Sequence, residues 1–493
     1  MTTMEERRAA LTTFAELPAM RASQAPDAPA VWDDHVQLDN AGLHDRVERA
    51  AAALVRAGVG PGDTTAVILP NRHELIVALF ASWRIGAAIT PVNPVLTPTE
   101  MQYQVDDAGA KAIIGEGLQI EGQVLGLEAL LQDVGDTALP APPQDPSDLA
   151  LLIYTSGTTG KPKGVMLDHS NLLSMCESAG THLLITDADH SLLVLPLFHA
   201  NGIVAGTLTP LLAGGRVTIV AKFSPSTFFD TVAAVRPTYF SAVPAIYAML
   251  SALPDDQVAD TSSLRLVICG AAPMPAELIH RVEERFDVVL VEGYGLSEGT
   301  CASVINPVEG KRKPGTVGIP MPGQQVEIMG EDGTILPHGE RGEVVIKGPV
   351  VMRGYLNKPE ETAKTIVDGW LHTGDVGIFD EDGYLKIVDR IKDMIIRGGE
   401  NIYPKEIESV LYTDEGVLEA AVIGRPDDVL GEVVVAYVAL RPDATTTVED
   451  LHALCEEQLA KYKRPVLIEL RDELPKNPVG KIDKPTLRKQ SVA

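Results

Sequence analysis

The chain has 493 residues, 45% of them hydrophobic, which is more than one hydrophobic core usually serves, so at least two domains are expected. Lys and Arg number 41 against 68 Asp and Glu, a net charge of −27. A field of that sign repels nucleic acid and anionic membranes, so any polyanionic ligand needs a local positive pocket.

The N-terminus, Met1-Thr-Thr-Met-Glu-Glu-Arg-Arg, carries acidic residues where a signal peptide has a basic segment ahead of an apolar run. No later stretch reaches the roughly 18 uninterrupted apolar residues of a membrane span. Cys176, Cys269, Cys301 and Cys455 form no C-x-x-C pair, which argues against a zinc site or a disulfide framework and fits a reducing cytoplasm.

An apolar run at 65–69, a helical pattern at 74–85, a stop at Gly86 and a second run at 87–90 read as a β-α-β unit. The proline-rich stretch 139–147 is an exposed connector. Short apolar runs resume at 192–195, 216–220, 239–242, 264–269 and 288–292, with helix-like segments such as 275–286 between them. These predict mainly parallel sheets covered by helices, an α/β fold. After about 314 the texture changes to short strands broken by Asp332-Gly333 and Asp382-Gly383 turns, a small β subdomain reaching about 391, and from about 393 a compact α+β pattern follows.

The most informative segment follows the apolar strand 149–154. Thr155-Ser156-Gly157-Thr158-Thr159-Gly160-Lys161-Pro162-Lys163-Gly164 combines glycines that let backbone N–H groups approach an anion, hydroxyl donors, and two cations. It is no Walker A loop, because Gly160-Lys161 runs into Pro162 and a strand-like segment at 164–167 rather than a helix.

With that loop the sequence resembles the adenylate-forming superfamily of acyl-CoA synthetases, firefly-type luciferases and peptide-synthetase adenylation domains. Further motifs follow in family order over nearly all of the chain. Gly270-Ala271-Ala272-Pro273 resembles the turn beside the adenine, and Glu292-Gly293-Tyr294-Gly295-Leu296-Ser297-Glu298 the adenine loop. The resemblance implies that Tyr294 stacks on the base and that Glu298 is the Mg²⁺ ligand; Ser297 stands where the family usually has Thr. It also implies Asp375 and Arg390 as nucleotide ligands, Lys392 as a hinge, and Gly398, Gly399 and Glu400 in the loop that swings in for thiolation. Lys481, in Pro475-Lys-Asn-Pro-Val-Gly-Lys481, matches the adenylation lysine. The implied catalytic set is Lys481, Glu298, Thr155 and His199.

The acyl pocket is expected around His199, Ala200, Asn201, Gly202 and Ala242. Amino-acid-activating relatives usually place Asp where His199 stands, and the small residues hint at room for a bulky, aromatic or medium-to-long acid. The resemblance implies a large adenylation domain, 1–391, of two layered α/β subdomains plus the β subdomain, and a mobile α+β domain, 392–493. ATP, Mg²⁺ and coenzyme A are the implied cofactors. The partners are a small carboxylic acid and coenzyme A, with a separate carrier protein as the alternative thiol, in a monomer or homodimer without nucleic acid or a membrane span. Two competing classes remain. Gly295-Leu-Ser-Glu-Gly299 fits the G-x-S-x-G elbow of a serine hydrolase with Ser297 as nucleophile, although the later histidines His338, His372 and His452 are poorly placed. A non-catalytic sensor would keep the pocket, but has no need of both Lys481 and Glu298.

Overall fold

The computed structural model describes residues 3–132, 135, 137–155, 161–254, 257, 260–398, 400–427, 429–476 and 482–491. By its contacts the chain divides into two compact units: Met1–Val326, Val345–His372 and Gly383–Leu385 form the first, and Glu327–Val344, Thr373–Asp382 and Lys386–Ala493 the second.

In the first unit the strands are, in chain order, β1 (Pro29–Trp32), β2 (Gln37–Asp39), β3 (Thr64–Ile68), β4 (Ala88–Pro91), β5 (Ala110–Gly115), β6 (Val124–Leu125), β7 (Leu149–Thr155), β8 (Lys163–Asp168), β9 (His190–Leu193), β10 (Arg216–Ile219), β11 (Tyr239–Ala242), β12 (Leu266–Cys269), β13 (Val289–Tyr294), β14 (Val304–Ile305) and β15 (Ile319–Pro320). Nine of them form one sheet in the order β15-β14-β13-β12-β11-β9-β10-β1-β2. β1, β10, β9, β11, β12 and β13 run parallel to one another, whereas β2, β14 and β15 pair antiparallel with their neighbours. The other sheet runs β8-β7-β4-β3-β5-β6, with β18 (Gly354–Tyr355) added on β8.

The expected β-α-β unit is β3, the helix His73–Arg84 and β4. That helix is buried from His73 to Trp83, because its apolar residues fall on every face rather than one stripe. Trp83 packs against Phe80, Phe14 and His169, and its indole N–H donates to the Ala150 carbonyl at 2.8 Å. The stretch expected as a connector carries no helix or strand at 139–147.

Beyond β15, β16 (Gln325–Met329), β17 (Gly342–Lys347), β19 (Ile366–Val367), β20 (Trp370–Phe379) and β21 (Leu385–Arg390) form a five-stranded sheet. The division into units passes through β16, β17, β20 and the first residue of β21. The Asp382-Gly383 turn joins β20 to β21, as its sequence predicts.

In the second unit β22 (Ile395–Arg397), β23 (Glu400–Ile402), β24 (Val417–Asp427), β25 (Gly431–Leu440) and β26 (Leu467–Arg471) make a five-stranded sheet. Val422, Val434, Ala436 and Val438 bury one face together with Ile407 and Leu451 of the helices Pro404–Leu411 and Val448–Gln458. Ala421, Ile423, Val435 and Tyr437 bury the other with Leu487 of the helix Lys484–Ser491. Covering both faces is why β24 and β25 read as near-continuous apolar runs. The architecture is α/β with a large N-terminal part and a smaller α+β C-terminal one, and no helix among the described residues is long and apolar enough to cross a membrane.

Candidate active site

Parallel register places most of the predicted residues of the first unit. Ala242 pairs with Cys269 between β11 and β12, and Cys269 with Glu292 between β12 and β13. The turn Gly270–Pro273 and the loop from Gly293 to Glu298 therefore leave neighbouring strands at the same carboxyl edge, where α/β sheets bind their ligands. The segment carrying His199 leaves β9, which pairs with β11, in the same direction.

Backbone detail fits close approach there. Ala271 holds a left-handed φ of 69°, a conformation that costs a non-glycine residue about 1–2 kcal/mol. A Cβ on Gly295 would lie 2.1 Å from the Cys301 carbonyl oxygen, so only glycine lets this loop fold back on itself. Glu292 is buried and its Oε1 accepts the Met274 N–H at 3.1 Å, tying the loop to the turn. Tyr294 and Ser297 are half-buried. Ser297 opens a single 3-10 turn, Ser297–Gly299, and the next element is β14. The strand-to-helix elbow required of a nucleophilic serine is not formed, which removes the hydrolase reading.

β7 and β8, which flank the expected phosphate loop, pair antiparallel with Thr155 opposite Lys163. Ser156, Gly157, Thr158, Thr159 and Gly160 lie outside the described residues. Lys161 sits 5.3 Å from the centre of the Tyr103 ring, whose hydroxyl donates to the Pro162 carbonyl at 3.1 Å. Lys163 lies over the Tyr355 ring at 4.9 Å and is paired with Glu361. The Tyr355 hydroxyl donates to Glu298 Oε1 at 2.8 Å, and among the described residues no group donates to Oε2. A half-buried carboxylate with one oxygen held, and the other without a donor among the described residues, fits a hard cation such as Mg²⁺. Burial first, and then the Glu298 charge, push the Tyr355 phenol up, so it stays a donor. Tyr103, Tyr355 and Glu361 carry no signal in the sequence, because each contact joins distant segments.

At the expected acyl site His199 stands at the N-cap position of the short helix Ala200–Ile203, where its backbone carbonyl accepts the Ile203 N–H at 3.2 Å, and its ring lies 4.6 Å from that of Phe198. The helix continues as a π turn, Val204–Leu208, where the Ala205 carbonyl accepts the Tyr239 hydroxyl at 2.9 Å. A Cβ on Gly202 would stand 2.4 Å from the Pro196 oxygen, and one on Gly206 would stand 2.5 Å from Leu193. These two glycines therefore serve close packing rather than open volume, while Ala200, Ala205 and Ala242 remain the small buried residues. Asn71 was not foreseen. It accepts the Leu197 N–H at 2.8 Å and donates to the Leu195 and Val220 carbonyls at 3.0 and 3.3 Å, so a residue following β3 clamps the segment that carries His199.

In the second unit Asp375 on β20 and Arg390 on β21 meet through Arg390 Nε at 2.8 Å. Asp389 is 1% exposed and accepts the N–H groups of Arg390 and Lys405 at 2.8 and 2.7 Å, anchoring the start of the helix Pro404–Leu411. Burial raises its carboxyl, an effect those N–H groups oppose. Lys392 lies in the 3-10 turn Ile391–Asp393, and Asp393 pairs with Arg488 at 2.8 Å. Arg397 and Glu400 face each other in register, and Gly398 between them has φ 61°, while Gly399 lies outside the described residues. Lys481 also lies outside them, between Lys476 and Ile482, which form an antiparallel bridge.

The profile of the AMP-binding enzymes matches residues 19–356, and that of the AMP-binding enzyme C-terminal domain matches 406–481. The chain belongs to the AMP-binding enzyme family. It is an adenylate-forming enzyme, an AMP-forming ligase, as the loops imply. It is 39% identical over 481 residues to a feruloyl-CoA synthase of an Amycolatopsis species, covering 96% of this chain and 98% of the relative. To a long-chain-fatty-acid–CoA ligase of Bacillus subtilis it is 38% identical over 484 residues, covering 88% and 86%. Among solved structures, ATP-bound MatB of Rhodopseudomonas palustris superposes with a TM-score of 0.88 at 32% identity, over 97% of this chain and 98% of that one. The o-succinylbenzoate CoA synthetase of Bacillus subtilis, in complex with its acyl-adenylate intermediate, gives the same values.

Proposed function

We propose that this AMP-binding enzyme is a cytoplasmic ATP-dependent carboxylic acid:CoA ligase that forms an acyl-adenylate with release of pyrophosphate and then a thioester. The observation that carries this reading is near-full-length likeness to CoA ligases of aryl and fatty acids. Attack of a carboxylate on the α-phosphorus brings two anions together, so the chain must supply position and charge rather than a covalent catalyst. In this reading Thr155 and the loop amides hold the triphosphate and Lys161 and Lys163 supply cations. Tyr294 takes the adenine, and Asp375 and Arg390 take the ribose. His199 lies beside the acyl carboxylate and Lys481 stabilises the charge that develops on adenylation. Glu298 holds Mg²⁺, which when bound offsets the charge of the phosphate oxygens. Residues from Lys392 onward form the part that turns between half-reactions, bringing Gly398, Gly399 and Glu400 to the thiol.

The acid in this reading is bulky: aromatic or of medium to long chain. Segment 196–206 contains no Lys or Arg, which a second buried carboxylate or sulfonate would require as a partner. Thioester detection by mass, with coenzyme A, ATP and a panel of aryl, fatty and short dicarboxylic acids, tests it. Turnover of aryl or fatty acids is expected. Turnover confined to oxalate-like or acetate-like acids would overturn the substrate assignment, and adenylate formation without any CoA thioester would move the thiol to a carrier protein.

A further inference from the structure

Segment 352–356 is fixed to both halves of the triphosphate machinery. Met352 N–H donates to the Glu298 carbonyl at 2.8 Å, and Leu356 N–H donates to the Gly164 carbonyl at 2.8 Å. Between them, Tyr355 pairs with Val165 of β8 in antiparallel register, and its own N–H donates to Thr362 Oγ1 at 2.9 Å. The Tyr355 side chain, 8% exposed, spans from Lys163, which lies over its ring, to Glu298, which accepts its hydroxyl. One ring thus touches the phosphate-loop cation on its face and the candidate metal carboxylate at its tip.

We propose that Tyr355 is a positioning residue: its hydroxyl locks the Glu298 carboxylate so that Oε2 is presented to Mg²⁺, and its ring seats Lys163 beside the triphosphate. The proposal rests on the ligase reading above. A carboxylate that accepts one fixed O–H loses rotational freedom and points its second oxygen in a set direction. Groups that orient a metal ligand in this way usually account for about 10- to 100-fold in metal affinity. Packing alone would need the ring but not the hydroxyl, so the two functions can be separated by substitution. Tyr355→Phe keeps the ring over Lys163 and removes only the donor, whereas Tyr355→Leu removes both.

The test uses the full-length protein with α,β-methylene-ATP, Mn²⁺ as the probe and its electron paramagnetic resonance signal as the direct readout. Acid-dependent ATP–pyrophosphate exchange is then measured against Mg²⁺ concentration. Tyr355→Phe is expected to weaken Mn²⁺ binding by about tenfold or more, with a matching rise in the Mg²⁺ needed for half-maximal exchange. Its melting temperature falls only by what the loss of one hydrogen bond costs, and its KM for ATP at saturating Mg²⁺ stays close to the wild-type value. Tyr355→Leu adds a rise in that KM. Wild-type Mn²⁺ affinity and Mg²⁺ dependence in Tyr355→Phe would overturn the proposal while leaving the ligase reading intact. Absence of exchange in the wild-type protein with every acid would overturn both.

Discussion

The carboxyl edge of the nine-stranded sheet and the C-terminal unit place their site residues by different physics. At the sheet edge, Ala242, Gly270 and the Glu292–Glu298 loop inherit their positions from strands that are buried and locked in parallel register. In the C-terminal unit, Arg390, Lys392 and Gly398 sit on strand ends and tight turns. Their surroundings are held by ion pairs and carboxylate anchors: Arg390 with Asp375, Arg488 with Asp393, Asp389 with two backbone N–H groups. A buried sheet edge suits residues that must hold one geometry. Turns fixed by charge suit residues that serve one half-reaction and then give way to others, because few apolar contacts have to break.

The sharpest test of that division is Lys481→Ala, whose expected effect is the largest. Loss of a pre-aimed cation typically costs about 10²- to 10³-fold, so adenylation should fall by that factor while thiolation of a preformed acyl-adenylate is largely retained. Equal loss in both half-reactions would break the assignment of the two regions to different steps.

A second test uses acid against two buried histidines of the first unit. Burial holds His169 down at about 3, and burial together with the Arg216 cation holds His190 down at about 4. Both stay neutral when folded but protonate near 6.5 when unfolded. Stability is therefore full above pH 6.5 and falls as the pH drops toward 4. Linkage gives on the order of 1–2 kcal/mol for each group by pH 5. The urea midpoint should be lower at pH 5 than at pH 7.5, and a His169→Gln, His190→Gln variant should lose most of that difference.

Asn71→Ala probes how far the sheet edge depends on support from its neighbour. Two carbonyls and one N–H lose a buried partner, a cost of about 1–3 kcal/mol in the melting transition, and KM for the acid should rise more than kcat falls. An unchanged KM would show that the His199 segment holds itself. The smallest effect is expected for Glu361→Gln. Freeing Lys163 from this pair should lower KM for ATP by up to about fivefold, the range of a partly exposed ion pair. A rise in KM would mean that Glu361 orients the lysine rather than competing for it.

Much of the first region was legible because burial writes itself into apolar runs. Residues 239–242 form the predicted strand without a shift, and 288–292 lies within one or two residues of β13. The run 192–195 misses the start of β9 because His190 and Ser191 are polar yet fully buried, with His190 Nε2 within 2.7 Å of the Thr218 hydroxyl. The glycines at 202 and 206 look like empty volume in a sequence, since nothing local reveals the Pro196 carbonyl or the Leu193 side chain that fills it. Asp389 reads as a solvated loop charge beside Arg390. The N–H that satisfies its buried Oδ2 belongs to Lys405, sixteen residues away, and no periodicity carries that contact. Tyr355 and Asn71 escaped for the same reason.

The most direct measurement of the central claim is the fate of oxygen-18 placed in the carboxylate of an acid that supports turnover. A ligase working through an acyl-adenylate transfers one labelled oxygen to AMP, and the mass spectrum of the isolated AMP should show it. Label appearing in inorganic phosphate, or AMP formed without label, would contradict the account.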